Sequence, residues 1–140
     1  MNKTNLLLTA VTTAMLAACG SESGDAPSPI DKITPVTNTL VYEGRQSVQC
    51  GTRGLTTQQS AQKLVDGGID VLESNCGVIT GMFYAAVCGG GTGDILIHKI
   101  RKENLADAEA LGFKSVTELQ DPAQGTDYAK VDCDTGVLIP

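Results

Sequence analysis

The chain has 140 residues, with 10 Lys and Arg against 16 Asp and Glu and a formal charge of −6; three Tyr, two Phe and no Trp are its aromatic residues. Such an acidic balance repels nucleic acid and anionic lipid headgroups. So few rings also argue against a stacking platform for bases or sugars.

Met1 to Asn5 is a short polar head carrying Lys3, followed by the apolar run Leu6–Ala18 (LLLTAVTTAMLAA). That run has the length of a signal-peptide core and falls short of the ~20 residues a bilayer span needs. It ends in Leu16-Ala17-Ala18-Cys19, an apolar residue and two small ones followed by cysteine. All four positions resemble the lipobox of bacterial lipoprotein precursors. The resemblance implies transfer of diacylglycerol to the Cys19 sulfur, cleavage before Cys19 and acylation of the new amine, leaving 1–18 as the leader. One acyl chain, at ~0.8 kcal/mol per buried CH₂, holds a protein only marginally, so three would anchor it durably. Gly20, rather than Asp, after the cysteine favours the outer membrane by analogy with lipoprotein sorting. The alternative is an ordinary cleaved leader with Cys19 incidental. Cleavage would remove Lys3 and no acid, leaving 9 basic residues against 16 acidic ones and a formal charge of −7.

Residues 19–38 are rich in Ser, Gly, Pro and Asp and have no apolar period, which predicts a lipidated N-terminus followed by a disordered tether. Residues 39–140 then read as one domain. Thr39–Glu43 and Gln46–Cys50 are extended stretches separated by Gly44-Arg45. Thr56-Thr-Gln-Gln59 is a capping box opening a helix with Ala61, Leu64 and Val65 on one face, ended by Gly67-Gly68. Ile69, Val71 and Leu72 lead as a strand to Cys76; Met82–Val87 and Asp94–Ile100 follow as strands. Asn104 is the expected N-cap of a second helix buried through Leu105, Ala108 and Leu111 and closed by Gly112. Ser115-Val-Thr-Glu118 opens a short helical turn stopped by Asp121-Pro122, and Tyr128–Val131 is a last strand. The expected fold is α+β: a small mixed β-sheet with two helices on one face, disulfide-stapled.

Four cysteines remain once Cys19 carries lipid, and an even number in an oxidising compartment predicts two disulfides. Cys76-Gly-Val-Ile-Thr-Gly81 and Cys88-Gly-Gly-Gly-Thr-Gly93 repeat one pattern, C-G-x-x-T-G, and read as two turns at opposite ends of the intervening strand. Their cysteines would then stand too far apart to bond. A crossover placing Cys50 beside Cys76 on neighbouring parallel strands favours Cys50–Cys76 with Cys88–Cys133.

The chemistry-bearing motifs are thin. Gly89-Gly-Gly-Thr-Gly93 resembles the phosphate loop of the tubulin and bacterial cell-division GTPases, but a strand rather than a helix follows and Asp94 adds a negative charge at its edge. His98 is the only histidine, no G-x-S-x-G motif exists, and no C-x-x-C pair suggests a metal site, so neither metal nor cofactor is expected. Asp66 with Asp70 and Asp132 with Asp134 are more simply solvated than catalytic. The reading that remains is a non-enzymatic envelope lipoprotein. It is attached to the membrane by its N-terminal lipid and binds an envelope protein or cell-wall component, not nucleic acid. Its binding surface would be the C-G-x-x-T-G loops, with Gly89, Gly90, Gly91 and Thr92, or a sheet face carrying Tyr42 and Tyr84. Alternatives are an inhibitor of a cationic enzyme such as lysozyme, and a small hydrolase using His98. The stretch Ala110-Leu-Gly-Phe113 also resembles the terminal helix of uncharacterised exported bacterial domains, which implies no activity.

Overall fold

In a computed structural model, residues 35–139 are described. The leader, Cys19 and most of the tether therefore lie outside the described residues. Five strands form one sheet: β1 (Asn38–Gly44), β2 (Glu73–Thr80), β3 (Asp94–Arg101), β4 (Lys114–Ser115) and β5 (Asp127–Val131), in the order β4-β1-β3-β2-β5. Helix α1 (Thr57–Asp66) joins β1 to β2, and α2 (Leu105–Ala110) lies between β3 and β4. The β1-α1-β2 and β3-α2-β4 connections each leave room for a strand of the other unit. The order β4-β1-β3-β2 is that of two interleaved split βαβ units, the ferredoxin-like arrangement, with β5 added outside β2. Such a scaffold carries many unrelated functions, so it assigns none.

The expected α+β fold is present, disulfides included, but the sheet is not mixed. Each adjacent pair is antiparallel. β1 and β2 run in the same direction, yet β3 lies between them, so the expected parallel neighbours never touch. The cysteine pairing changes with them: the disulfides are Cys50–Cys88 and Cys76–Cys133, not Cys50–Cys76 and Cys88–Cys133. Met82–Val87 is no strand, because β2 and β1 already occupy both edges of β3. The first C-G-x-x-T-G copy is consequently not a turn; Cys76–Thr80 lies within β2, and the chain leaves the strand only at Gly81, with φ +76°.

Both helices cover one sheet face. Leu64 of α1 and Ala108 of α2 pack on Val41 and Ile100, with Ile69 and Phe113 filling the margins. Val65 and Leu111, expected on the buried faces, are exposed. The capping box at Thr56 forms as read: Gln59 N–H donates to Thr56 Oγ1 and the Thr56 N–H to Gln59 Oε1. Asn104 precedes α2 without a side-chain cap, since a 3-10 turn (Lys102–Asn104) leads into that helix. A second 3-10 turn, Val116–Leu119, covers the opposite sheet face, where Val116 and Leu119 meet Ile95, Ile97, Leu40, Tyr42 and Tyr128. Among the described residues no helix is long and apolar enough to cross a membrane.

Candidate functional site

The strand register brings three connections to one end of the sheet. Gly44 lies opposite Ile95, Val78 opposite Asp94 and Thr80 opposite Asp127, so the segments after β1, between β2 and β3, and before β5 emerge together. Asn38, where the chain enters β1, pairs with Arg101 at the other end.

The segment after β1 is a closed loop. Leu55 N–H donates to Arg45 O at 2.7 Å, and Gln46 and Cys50 both adopt φ +60°, which turns what reads as an extended run back on itself. This loop clasps the β2–β3 connection, Gly81–Gly93. Val48 bridges Gly91, Gln49 N–H donates to Gly90 O, Gly89 N–H donates to Gln49 O, and Gln49 Nε2 donates to Ala85 O at 2.8 Å. Cys50–Cys88 locks the two together. The glycine-rich stretch is thus engaged internally: the Gly90 amide turns back to Val87 O, and the Thr92 hydroxyl meets Asp94 and Ser47. Amides so occupied do not form the phosphate cradle that the glycines suggest.

Tyr42 and Tyr84 do not share a strand. Tyr42 is half-buried on the face covered by Val116 and Leu119, and its phenol is pushed above its usual pKa by burial, then by Glu118 and Tyr84. Tyr84 lies in the β2–β3 connection with its ring against Gly93, where a β-carbon would come within 2.7 Å of Cε2. The residue between Met82 and Tyr84 is the outlier. Phe83 is 95% exposed, with Met82 and Val87 also exposed, on a loop whose base is covalently held. The composition of Met82–Val87 predicts a strand there. The available signal was the run Ser74–Gly93, which contains no charged residue.

His98 was the other candidate, and its surroundings are specific. It alternates with Leu96 and Ile100 on the helix-covered face and is fully enclosed. The Ser60 hydroxyl of α1 donates to Glu43 Oε1 at 2.5 Å and lies 2.7 Å from His98 Nε2. Having one proton, already given to Glu43, Ser60 must accept from Nε2–H. Nδ1 is then the acceptor for the Ser74 hydroxyl at 2.8 Å, while Lys63 closes the chain on Glu43 Oε2 at 2.7 Å. Burial holds the imidazole neutral, its pKa lowered to about 4 against an opposing pull from Glu43. A serine nucleophile would need the reverse polarity, with the imidazole accepting the hydroxyl proton. The arrangement braces α1 against β1, β2 and β3. Among the described residues, no group of three or more His, Cys, Asp or Glu side chains converges as a metal ion would require.

Comparison with family models, with curated proteins and with solved structures finds no match to this chain in any of the three.

Proposed function

We propose that this chain is a lipid-anchored envelope protein, held at the outer membrane through Cys19, whose domain binds a protein partner without catalysing a reaction. The observation that carries the reading is the near-complete exposure of Phe83 on a disulfide-locked loop. Phenylalanine has only two side-chain torsions to lose on docking, and aromatic anchors dominate protein interfaces. Exposed Met82 and Val87 extend the same apolar surface, and no charge interrupts the sequence around them. The loop emerges at the end of the sheet opposite the point where the chain enters β1. β1 separates the entry at Asn38 from the loop end by seven residues, roughly 20 Å at ~3.3 Å each.

The test replaces Phe83 with a photoreactive phenylalanine analogue in the full chain, expressed in living bacteria, with the same replacement at exposed Glu109 of α2 as the control. A discrete adduct from position 83 and none from 109 is the expected outcome. Equal or absent adducts would refute the docking surface. Whole-protein mass of the processed chain tests the anchor separately, since an unmodified Cys19 would remove it.

A further inference from the structure

Two of the three arginines in the sequence, Arg45 and Arg53, line one cleft, on an otherwise acidic protein. The cleft lies between the closed loop after β1 and the turn that follows β5, encloses about 350 Å³ and is bordered by a cysteine from each disulfide, Cys50 and Cys133. It lies within the ~300–1,000 Å³ range of small-molecule sites.

Neither arginine forms an ion pair with a described residue. Lys63, Lys99, Arg101 and Lys130 each pair with a glutamate. Arg45 instead donates Nε to Leu55 O and Nη1 to Cys133 O, both at 3.2 Å, and Arg53 donates Nη1 to Asp134 O at 2.9 Å. These contacts are to neutral carbonyls, so neither guanidinium is ion-paired, although Asp94 and Asp134 share the cleft with them. A guanidinium has five N–H donors in a fixed fork suited to a carboxylate or a phosphate. Asp94 selects between the two. Its carboxylate lines the same cleft, where Oδ2 accepts from Ser47 at 2.6 Å and from Thr92 at 2.9 Å. No described side chain donates to its Oδ1. A fixed negative charge disfavours a phosphate dianion and suits a ligand that carries a cation as well as a carboxylate.

We propose that this cleft binds a small zwitterion, a short peptide with a free amino and a free carboxyl end. Arg45 and Arg53 take the carboxylate, and Asp94 takes the ammonium, its geometry fixed by Ser47 and Thr92. The walls come from four separate segments, and a disulfide anchors each of the two facing loops, Cys50 to Cys88 and Cys133 to Cys76. The site goes beyond the partner-docking surface: Phe83 is not among its lining residues, so either can fail alone.

Calorimetric titration of the full chain, both disulfides formed, tests the site with alanyl-alanine, its C-terminal amide and its N-acetyl derivative. The expected result is saturable millimolar or tighter binding of the zwitterion. Each derivative loses one charge-assisted contact and should bind at least roughly tenfold more weakly. Arg53→Gln, an exposed position, should weaken the zwitterion by a similar factor with an unchanged circular dichroism spectrum. Arg45→Gln also removes two bonds that shape the loop, so Arg53→Gln is the decisive variant. No saturable binding, equal affinity for the amide, or undiminished binding by Arg53→Gln would each overturn the proposal.

Discussion

The imidazole of His98 accepts from Ser74 at one nitrogen and donates to Ser60 at the other, so a second proton would break the Ser74 contact and place a charge in an enclosed layer. Folding therefore opposes protonation, and the sign of the pH dependence follows. An unfolded histidine binds its proton near pH 6.5, the folded one only near about 4. The unfolded state binds more protons throughout that interval, so the stability due to neutral His98 is complete above pH 6.5 and declines as pH falls towards 4. The full difference is on the order of 3 kcal/mol, about 2 of it lost between pH 7 and pH 5. Glu73 and Asp132 are also shifted, both downward, Glu73 first by the Asn75 amide and Asp132 first by the Thr135 backbone. Their ordinary values of 4.5 and 3.8 put their contributions at lower pH, so the upper interval isolates the histidine. Urea unfolding at pH 7 and pH 5 should reveal the loss in the native chain. It should be nearly absent in His98→Gln, whose amide can still donate to Ser60 and accept from Ser74 but does not titrate. An equal pH dependence in both proteins would contradict a neutral, enclosed imidazole.

At the level of elements, the closed loop after β1 depends on one glycine more than on its apolar residues. Gly54 has φ +73°, and a β-carbon there would come within 2.0 Å of Arg45 O and 2.6 Å of Ser47 N. Both obstacles are backbone and cannot swing away. Gly68, after α1, has a similar φ of +81° but open space where a β-carbon would stand. Gly68→Ala should therefore cost about 1–2 kcal/mol, the left-handed conformation alone. Gly54→Ala adds a collision and should exceed it by roughly 2 kcal/mol or more. Denaturant midpoints of the two variants check the order; parity would mean the loop yields without resistance. The same contrast explains what could be read beforehand. β1, β3, β5 and the capped start of α1 are legible because each is a short local pattern, a run of β-forming residues or a cap, that tertiary contacts reinforce. Gln46–Cys50 misled because two non-glycine residues there take left-handed conformations, a choice made by the disulfide and the Gly89–Gly91 backbone rather than by local preference. Met82–Val87 has strand composition, but β2 and β3, which flank it in sequence, are already paired on both sides. Its apolar residues face outward, so the exposed Phe83 could be found only once the pairing was known. The Ser60–His98–Glu43 chain joins α1, β3 and β1 across separations of 38 and 17 residues, beyond the reach of any local pattern.

Across the whole molecule, the two disulfides span similar lengths of chain but do different physical work. Cys50–Cys88 closes a separation of 38 residues and Cys76–Cys133 one of 57. In the chain-entropy description each restricts the unfolded ensemble by about 4 kcal/mol, because the dependence on loop length is logarithmic. Entropy alone makes them nearly equivalent. Burial separates them: Cys50 and Cys88 are exposed, whereas Cys76 is 1% exposed in a cluster with Leu96 and Val131. Replacing Cys76 and Cys133 by alanine removes the constraint and also leaves space for two sulfur atoms beside an apolar cluster, adding roughly 1–2 kcal/mol. The double variant Cys76→Ala with Cys133→Ala should therefore melt lower than Cys50→Ala with Cys88→Ala. At ~4–8 °C per kcal/mol for a domain near this size, both should fall by tens of degrees and differ by several. Hydrogen exchange then distinguishes the location of the damage. Loss of the exposed bridge should release the amides of Gln49 and Gly89, which bond across the two clasped loops, while leaving β3 protected by its neighbours on both sides. Loss of the buried bridge should lower protection throughout β2 and β5, whose packing it completes. If the exposed pair proves the costlier to remove, the loops rather than the sheet hold this domain together, and their clasp would have to form early enough in folding to organise the strands.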